Sequence, residues 1–170
     1  RGTTNYAIYT GTGAVRFGDT VYINDTSNAK MTTGLTINQG AADNEILTLK
    51  SSDVAHGMIS SLTETDSYAT FAKTYSTNGG LFMQGWTAGT DSIIIRGNST
   101  TEVSTRSTGA SSNIIIDTML KDGSSVTTMS ANTNMVTLST QGVVRFIFDS
   151  DGDGHADSSW TTYSDSRLKK

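Results

Sequence analysis

The residue types best suited to chemistry are concentrated near the C-terminal end. In Phe148-Asp149-Ser150-Asp151-Gly152-Asp153-Gly154-His155-Ala156-Asp157, three aspartates fall at positions 1, 3 and 5 of a Ca²⁺ loop: Asp149, Asp151 and Asp153. Gly154 takes position 6 and Asp157 position 9. Alternate residues on a tight loop can turn their oxygens inward, and Ca²⁺, a hard cation, favours oxygen. The pattern departs from a helix-loop-helix site in two places. Position 12, where a bidentate Glu belongs, is Trp160, and residues 143–148 before the loop read as a strand. A solvated acidic turn is the alternative, because Asp and Gly both favour turns. A bound Ca²⁺ would be structural and weak, with Kd on the order of 10⁻⁴ M.

Other chemistry is thinly represented. His56 and His155 are the only histidines, with no Glu-x-x-His or His-x-His spacing, so a zinc site is not expected. No Gly-x-Ser-x-Gly elbow is present to expose a nucleophilic Ser. A glycosidase needs two paired carboxylates. Nothing in the spacing of Glu45, Asp53, Glu64, Asp66, Asp91, Glu102 and Asp117 singles out a pair, and surface roles are expected for them. Trp86, Trp160, Tyr68 and Tyr75 are able to stack on sugar rings, but packing between strands is the commoner use of such residues. Asn24-Asp25-Thr26 and Asn98-Ser99-Thr100 match the N-glycosylation pattern, which arises readily by chance in a chain this rich in Ser and Thr.

The elements that must position these residues follow from composition. The chain has 29 Thr and 22 Ser, so 51 of 170 residues carry a small hydroxyl, with no Pro and no Cys. Ser, Thr, Asn and Gly are poor helix formers, which disfavours long helices. Without Pro and without Gly at every third position a collagen stalk is excluded, and without Cys so are disulfide scaffolds and thiolate-held metals. The net charge is -4 and charged residues make up 16% of the chain, so no basic stripe for nucleic acid is present. No apolar run approaches the roughly 20 residues of a membrane-spanning helix. Arg1-Gly2-Thr3-Thr4-Asn5 carries no initiator Met or signal segment and reads as the middle of a longer protein.

Short apolar groups recur between turn signals, the all-β pattern. Strands are expected at 6–10, 14–17, 21–24, 34–39, 45–51, 57–63, 68–76, 81–86, 92–96, 101–105, 113–120, 126–129, 135–139 and 143–148. Asn78-Gly79 and Asp122-Gly123 are hairpin signals. Two short helices, at 41–47 and 124–131, are the weaker expectations. Leu35 and Ile37 alternate with Thr36 and Asn38, whereas Ile93-Ile94-Ile95 and Ile114-Ile115-Ile116 read as strands buried on both faces. Gly13-Ala14-Val15-Arg16-Phe17 echoes Gly142-Val143-Val144-Arg145-Phe146, but two short matches do not make a repeat architecture. Large apolar residues are too sparse for a chain of this size to bury the usual share of its surface alone. Pairing of edges between identical chains would supply the difference.

The C-terminal Ser164-Asp165-Ser166-Arg167-Leu168-Lys169-Lys170 resembles the opening of the intramolecular chaperone domain that ends endosialidases and many bacteriophage tail fibres and tailspikes. That domain folds the trimer and then cuts itself off. The resemblance implies a dyad of Ser164 and Lys169, in which a Lys of depressed pKa deprotonates the Ser. It covers only the first seven residues of the chaperone, so self-cleavage is expected only in a precursor that carries the rest. The remainder is similar to distal tail-fibre modules at Asn5-Tyr6-Ala7-Ile8-Tyr9-Thr10-Gly11, Val15-Arg16-Phe17-Gly18, Gly34-Leu35-Thr36-Ile37-Asn38-Gln39-Gly40 and Arg145-Phe146-Ile147-Phe148-Asp149.

The expected protein is therefore all-β: an elongated β-sandwich or β-prism-like fibre module in an intertwined parallel homotrimer. Residues 1–148 would form the strand-rich, receptor-binding module, 149–163 the acidic loop and connector, and 164–170 the start of the chaperone motif. Its partners would be other copies of itself and a glycan or protein receptor on a host cell, with no nucleic acid and no membrane insertion. Its place would be a virion tail, outside the cell, and its role adhesive and not enzymatic. Two other readings stand beside this one. A fragment of a polysaccharide-degrading tailspike requires paired carboxylates in a groove, and a non-viral secreted filament or adhesin subunit would carry sugars on its many Ser and Thr.

Overall fold

Short β-branched and aromatic runs between Gly, Asn and Asp give short strands and tight turns. The structure, a computed structural model, describes residues 13, 15, 17–60 and 62–159. The strand expected at 6–10, half of that at 14–17, Trp160, and the Ser164 and Lys169 pair lie outside the described residues. Two compact units divide the chain, Arg1–Ile95 and Arg96–Lys170.

In the first unit, β1 (Val21–Ile23) pairs in parallel with β2 (Leu35–Ile37), Val21 opposite Leu35 and Ile23 opposite Ile37. A separate antiparallel sheet has the order β3-β4-β5, formed by Leu47–Lys50, Ser67–Tyr75 and Gly79–Gly85. The Asn78-Gly79 signal closes the β4–β5 hairpin, with Tyr75 opposite Gly79. Gly79 has a φ of 77°, the left-handed residue that lets a three-residue loop turn back without splaying the strands.

In the second unit, β6 (Leu120–Asp122) and β7 (Ser125–Thr127) form the hairpin signalled by Asp122-Gly123. The other sheet has the order β10-β9-β8, with β8 Asn134–Thr140, β9 Val143–Asp149 and β10 Gly154–Ala156. Thr140 faces Val143 across a two-residue turn, Gln141 and Gly142, whose φ values of 50° and 78° are those of a type I′ connection.

All regular structure among the described residues is β, with no helix. The segment 41–47 turns and feeds β3, whose Leu47 pairs with Phe71. Within 124–131, Val126 and Thr127 enter β7, because β-branched residues lose side-chain freedom in a helix. Residues 57–60, 62–63, 92–96, 101–105 and 113–119 join no ladder. For the two Ile runs the reason is physical. A strand apolar on both faces needs cover above and below and a paired edge, and one chain supplies neither.

Burial is correspondingly slight. Among the described residues Trp86, 8% exposed, is the one buried large hydrophobic side chain. It directly follows β5, beside β4, where its backbone N–H donates to the Tyr68 carbonyl at 3.0 Å and its indole Nε1–H donates to the Thr70 hydroxyl at 3.1 Å. His56 stacks on the indole at 5.7 Å between ring centroids. The other buried positions among the described residues are polar, Ser67, Thr70 and Asp149. The chain exposes 14837 Å². A folded monomer of this mass is expected to expose roughly 8,000 Å², and two separate units of half the mass roughly 10,000 Å².

Candidate functional site

The acidic loop is built on the β9–β10 return. β9 ends at Asp149, and β10 comes back antiparallel with Gly154 opposite Phe148 and Ala156 opposite Phe146. The expected connector is thus partly strand. Backbone bonds close the turn: Asp149 N–H donates to the Asp153 carbonyl at 3.0 Å, and Gly152 N–H to the Asp149 carbonyl at 3.2 Å.

Asp149 is the centre of this arrangement, 3% exposed. Its Oδ1 accepts from the backbone N–H groups of Asp151 at 3.1 Å and Asp153 at 2.9 Å. Its Oδ2 lies 2.9 Å from His155 Nε2. The hydrogen bond with His155, followed by the Asp153 N–H, holds the Asp149 carboxyl below the usual carboxylate range, against the opposing pull of burial.

The other three aspartates point to other tasks. Asp151 Oδ2 accepts from the Asn132 N–H at 2.8 Å. Asp157 forms an ion pair with Arg145 at 2.5 Å on an exposed surface, while its N–H donates to the Arg145 carbonyl. Asp153 contributes its backbone N–H and carbonyl to Asp149. Ser150 ties the loop to the segment before β8: its N–H donates to the Thr133 carbonyl at 2.9 Å and its hydroxyl to the Ser130 carbonyl at 2.6 Å. Asp149, Asp151 and Asp153 lie at one turn while Asp157 follows β10 beside Arg145, and no three His, Asp or Glu among the described residues form a group able to hold a metal ion. Asp151 and Asp157 each use Oδ2 in their contacts with Asn132 and Arg145.

Two features of this turn were not read from the sequence. His155 is the side-chain partner of Asp149, and residues 130–133 are the wall on which the loop docks. The His155 contact spans six residues and depends on β10 forming, so no local spacing rule announces it.

Carboxylates also gather in the first unit, where Lys50 pairs with both Glu64 and Asp66. Asp43 and Glu45 line an open groove with Lys73, Phe82 and Gln84. Asp43 pairs with Lys73 at 2.7 Å, and Glu45 accepts from the Thr48 hydroxyl. Of the aromatic residues able to stack on sugar, Trp86 is packed inside, while Tyr68 and Tyr75 are exposed on β4. No family model, curated protein or solved structure matches the chain.

Proposed function

We propose that this chain is a structural and adhesive module of a bacteriophage tail fibre, an elongated homotrimer presenting its tip to a glycan on the host cell surface. The observation that carries the reading is the mismatch between surface and core. The chain exposes 14837 Å² where two separate units of half its mass expose roughly 10,000 Å². Among the described residues one large apolar side chain is buried, and identical chains are the source of further cover that needs no other gene product. The tail-fibre identity rests on the C-terminal resemblance. Threefold display turns weak contacts with a repeating surface polymer into strong attachment.

Light scattering on purified protein tests the assembly. The expected species contains three 18.0 kDa chains and persists on dilution. An 18.0 kDa species at micromolar concentration refutes the reading.

A further inference from the structure

Two segments of this chain have the same form and opposite ends. Ser92-Ile93-Ile94-Ile95-Arg96 ends in a cation, and Asn113-Ile114-Ile115-Ile116-Asp117 in an anion. Neither takes part in a ladder, and among the described residues no backbone–backbone hydrogen bond reaches either run. Four of the six Ile side chains stand largely in water, Ile94, Ile95 and Ile115 each 68% exposed and Ile116 66%, while Ile93 and Ile114 are half-exposed. Arg96 and Asp117 are exposed too, and neither belongs to an ion pair among the described residues.

Such a run is costly when left bare. Three consecutive Ile put apolar side chains on both faces of an extended segment, while the backbone offers N–H and C=O groups along both edges, the Ile114 carbonyl excepted, which accepts from the Ser112 hydroxyl. The matching cover is another strand of the same kind. We propose that the run ending at Arg96 in one copy pairs, parallel and in register, with the run ending at Asp117 in the next copy, closing a ring of three chains.

Charge fixes both direction and register. In a parallel, in-register pair Ile93 lies beside Ile114, and Arg96 beside Asp117. An antiparallel pair would set Arg96 beside Asn113 and leave both charges without a partner. The interface joins two different surfaces, so it is heterologous, and a heterologous contact that closes gives a ring. Gly97 supports the geometry within each chain. A Cβ there would lie 2.3 Å from the Asn113 carbonyl oxygen, so only Gly lets the end of the first run approach the start of the second. This inference rests on the homotrimer reading and specifies the contact that would build it.

The test uses the absence of Cys from the chain. Neighbouring strands lie about 4.8 Å apart, within the Cα separation of roughly 4.4–6.8 Å that a disulfide spans. The doubly substituted protein, R96C with D117C, is oxidised and run on a denaturing gel. The expected product is a covalent trimer, each chain joined to two neighbours. Charge exchange is the second measurement. R96D and D117R should each lower the midpoint of thermal dissociation, and the combined R96D/D117R protein should recover most of the loss. A protein that scatters light as a trimer but yields monomer bands after oxidation, with no recovery on charge exchange, overturns the pairing and leaves the homotrimer standing. A wild-type monomer overturns both.

Discussion

Thr70→Val tests whether the first unit is organised around one buried polar contact. Thr70 is 1% exposed and its hydroxyl accepts the Trp86 indole N–H at 3.1 Å. Val has nearly the shape of Thr, so packing around the site is kept while the acceptor is removed. The indole N–H is then left buried without a partner, which costs about 1–3 kcal/mol. For a unit the size of Arg1–Ile95, each kcal/mol corresponds to roughly 4–8 °C in Tm. The expected fall is therefore at least about 4 °C. Trp86→Phe removes the donor, and in that background Thr70→Val should cost less than about 0.5 kcal/mol, leaving a coupling of about 1 kcal/mol between the two positions. Far-UV circular dichroism serves as the probe for all four proteins, since fluorescence would be lost with Trp86. The protein concentration is held constant, because any assembly makes Tm concentration-dependent. Equal losses in both backgrounds, or a Thr70→Val protein as stable as the parent, would refute the reasoning.

Asp149 gives the second prediction. Its carboxyl is held below its ordinary value, so its stabilising contribution is complete above the unfolded carboxylate pKa of about 3.9 and is lost as pH falls through the lower folded value. Asp149→Asn should flatten that acid limb in pH-dependent unfolding curves; an unaltered limb would place the acid sensitivity elsewhere. A third concerns Ca²⁺: with Asp151 and Asp157 engaged by Asn132 and Arg145, the unfolding transition should move little between chelator and millimolar Ca²⁺. A clear rise in Ca²⁺, abolished by Asp151→Ala, would establish the ion. A fourth concerns the precursor. If the 164–170 segment opens a chaperone, the full-length protein should cut itself beside Ser164, and Ser164→Ala or Lys169→Ala should leave an assembled, uncleaved trimer. Mass spectrometry finding intact wild-type chains in that trimer would remove the self-cleavage reading.

Local chemistry made much of the secondary structure legible. The β4–β5 and β6–β7 hairpins fall where Asn78-Gly79 and Asp122-Gly123 announce them. β8 and β9 follow from runs of β-branched and apolar residues, although the Gln141-Gly142 turn between them carries a weaker signal than Asn-Gly. The absence of helix among the described residues follows from the chain's 51 hydroxyl residues, which compete with the helical backbone. The shortage of core was also visible beforehand, in the thin supply of large apolar residues.

The destinations of individual side chains were not legible. Asp149, Asp151, Asp153 and Asp157 have the spacing of one ion site, yet the fold gives Asp149 to His155 and to its own loop, Asp151 to Asn132 and Asp157 to Arg145. Those partners lie up to 19 residues away and arrive only when β8, β9 and β10 pair. Ile93-Ile94-Ile95 and Ile114-Ile115-Ile116 carry strong strand patterns that a single chain leaves unpaired. Turns and strand periodicity are set by neighbouring residues, so the sequence alone determined them. The orientation of a carboxylate and the cover of an apolar run depend on groups distant in the chain, so only tertiary structure decided them.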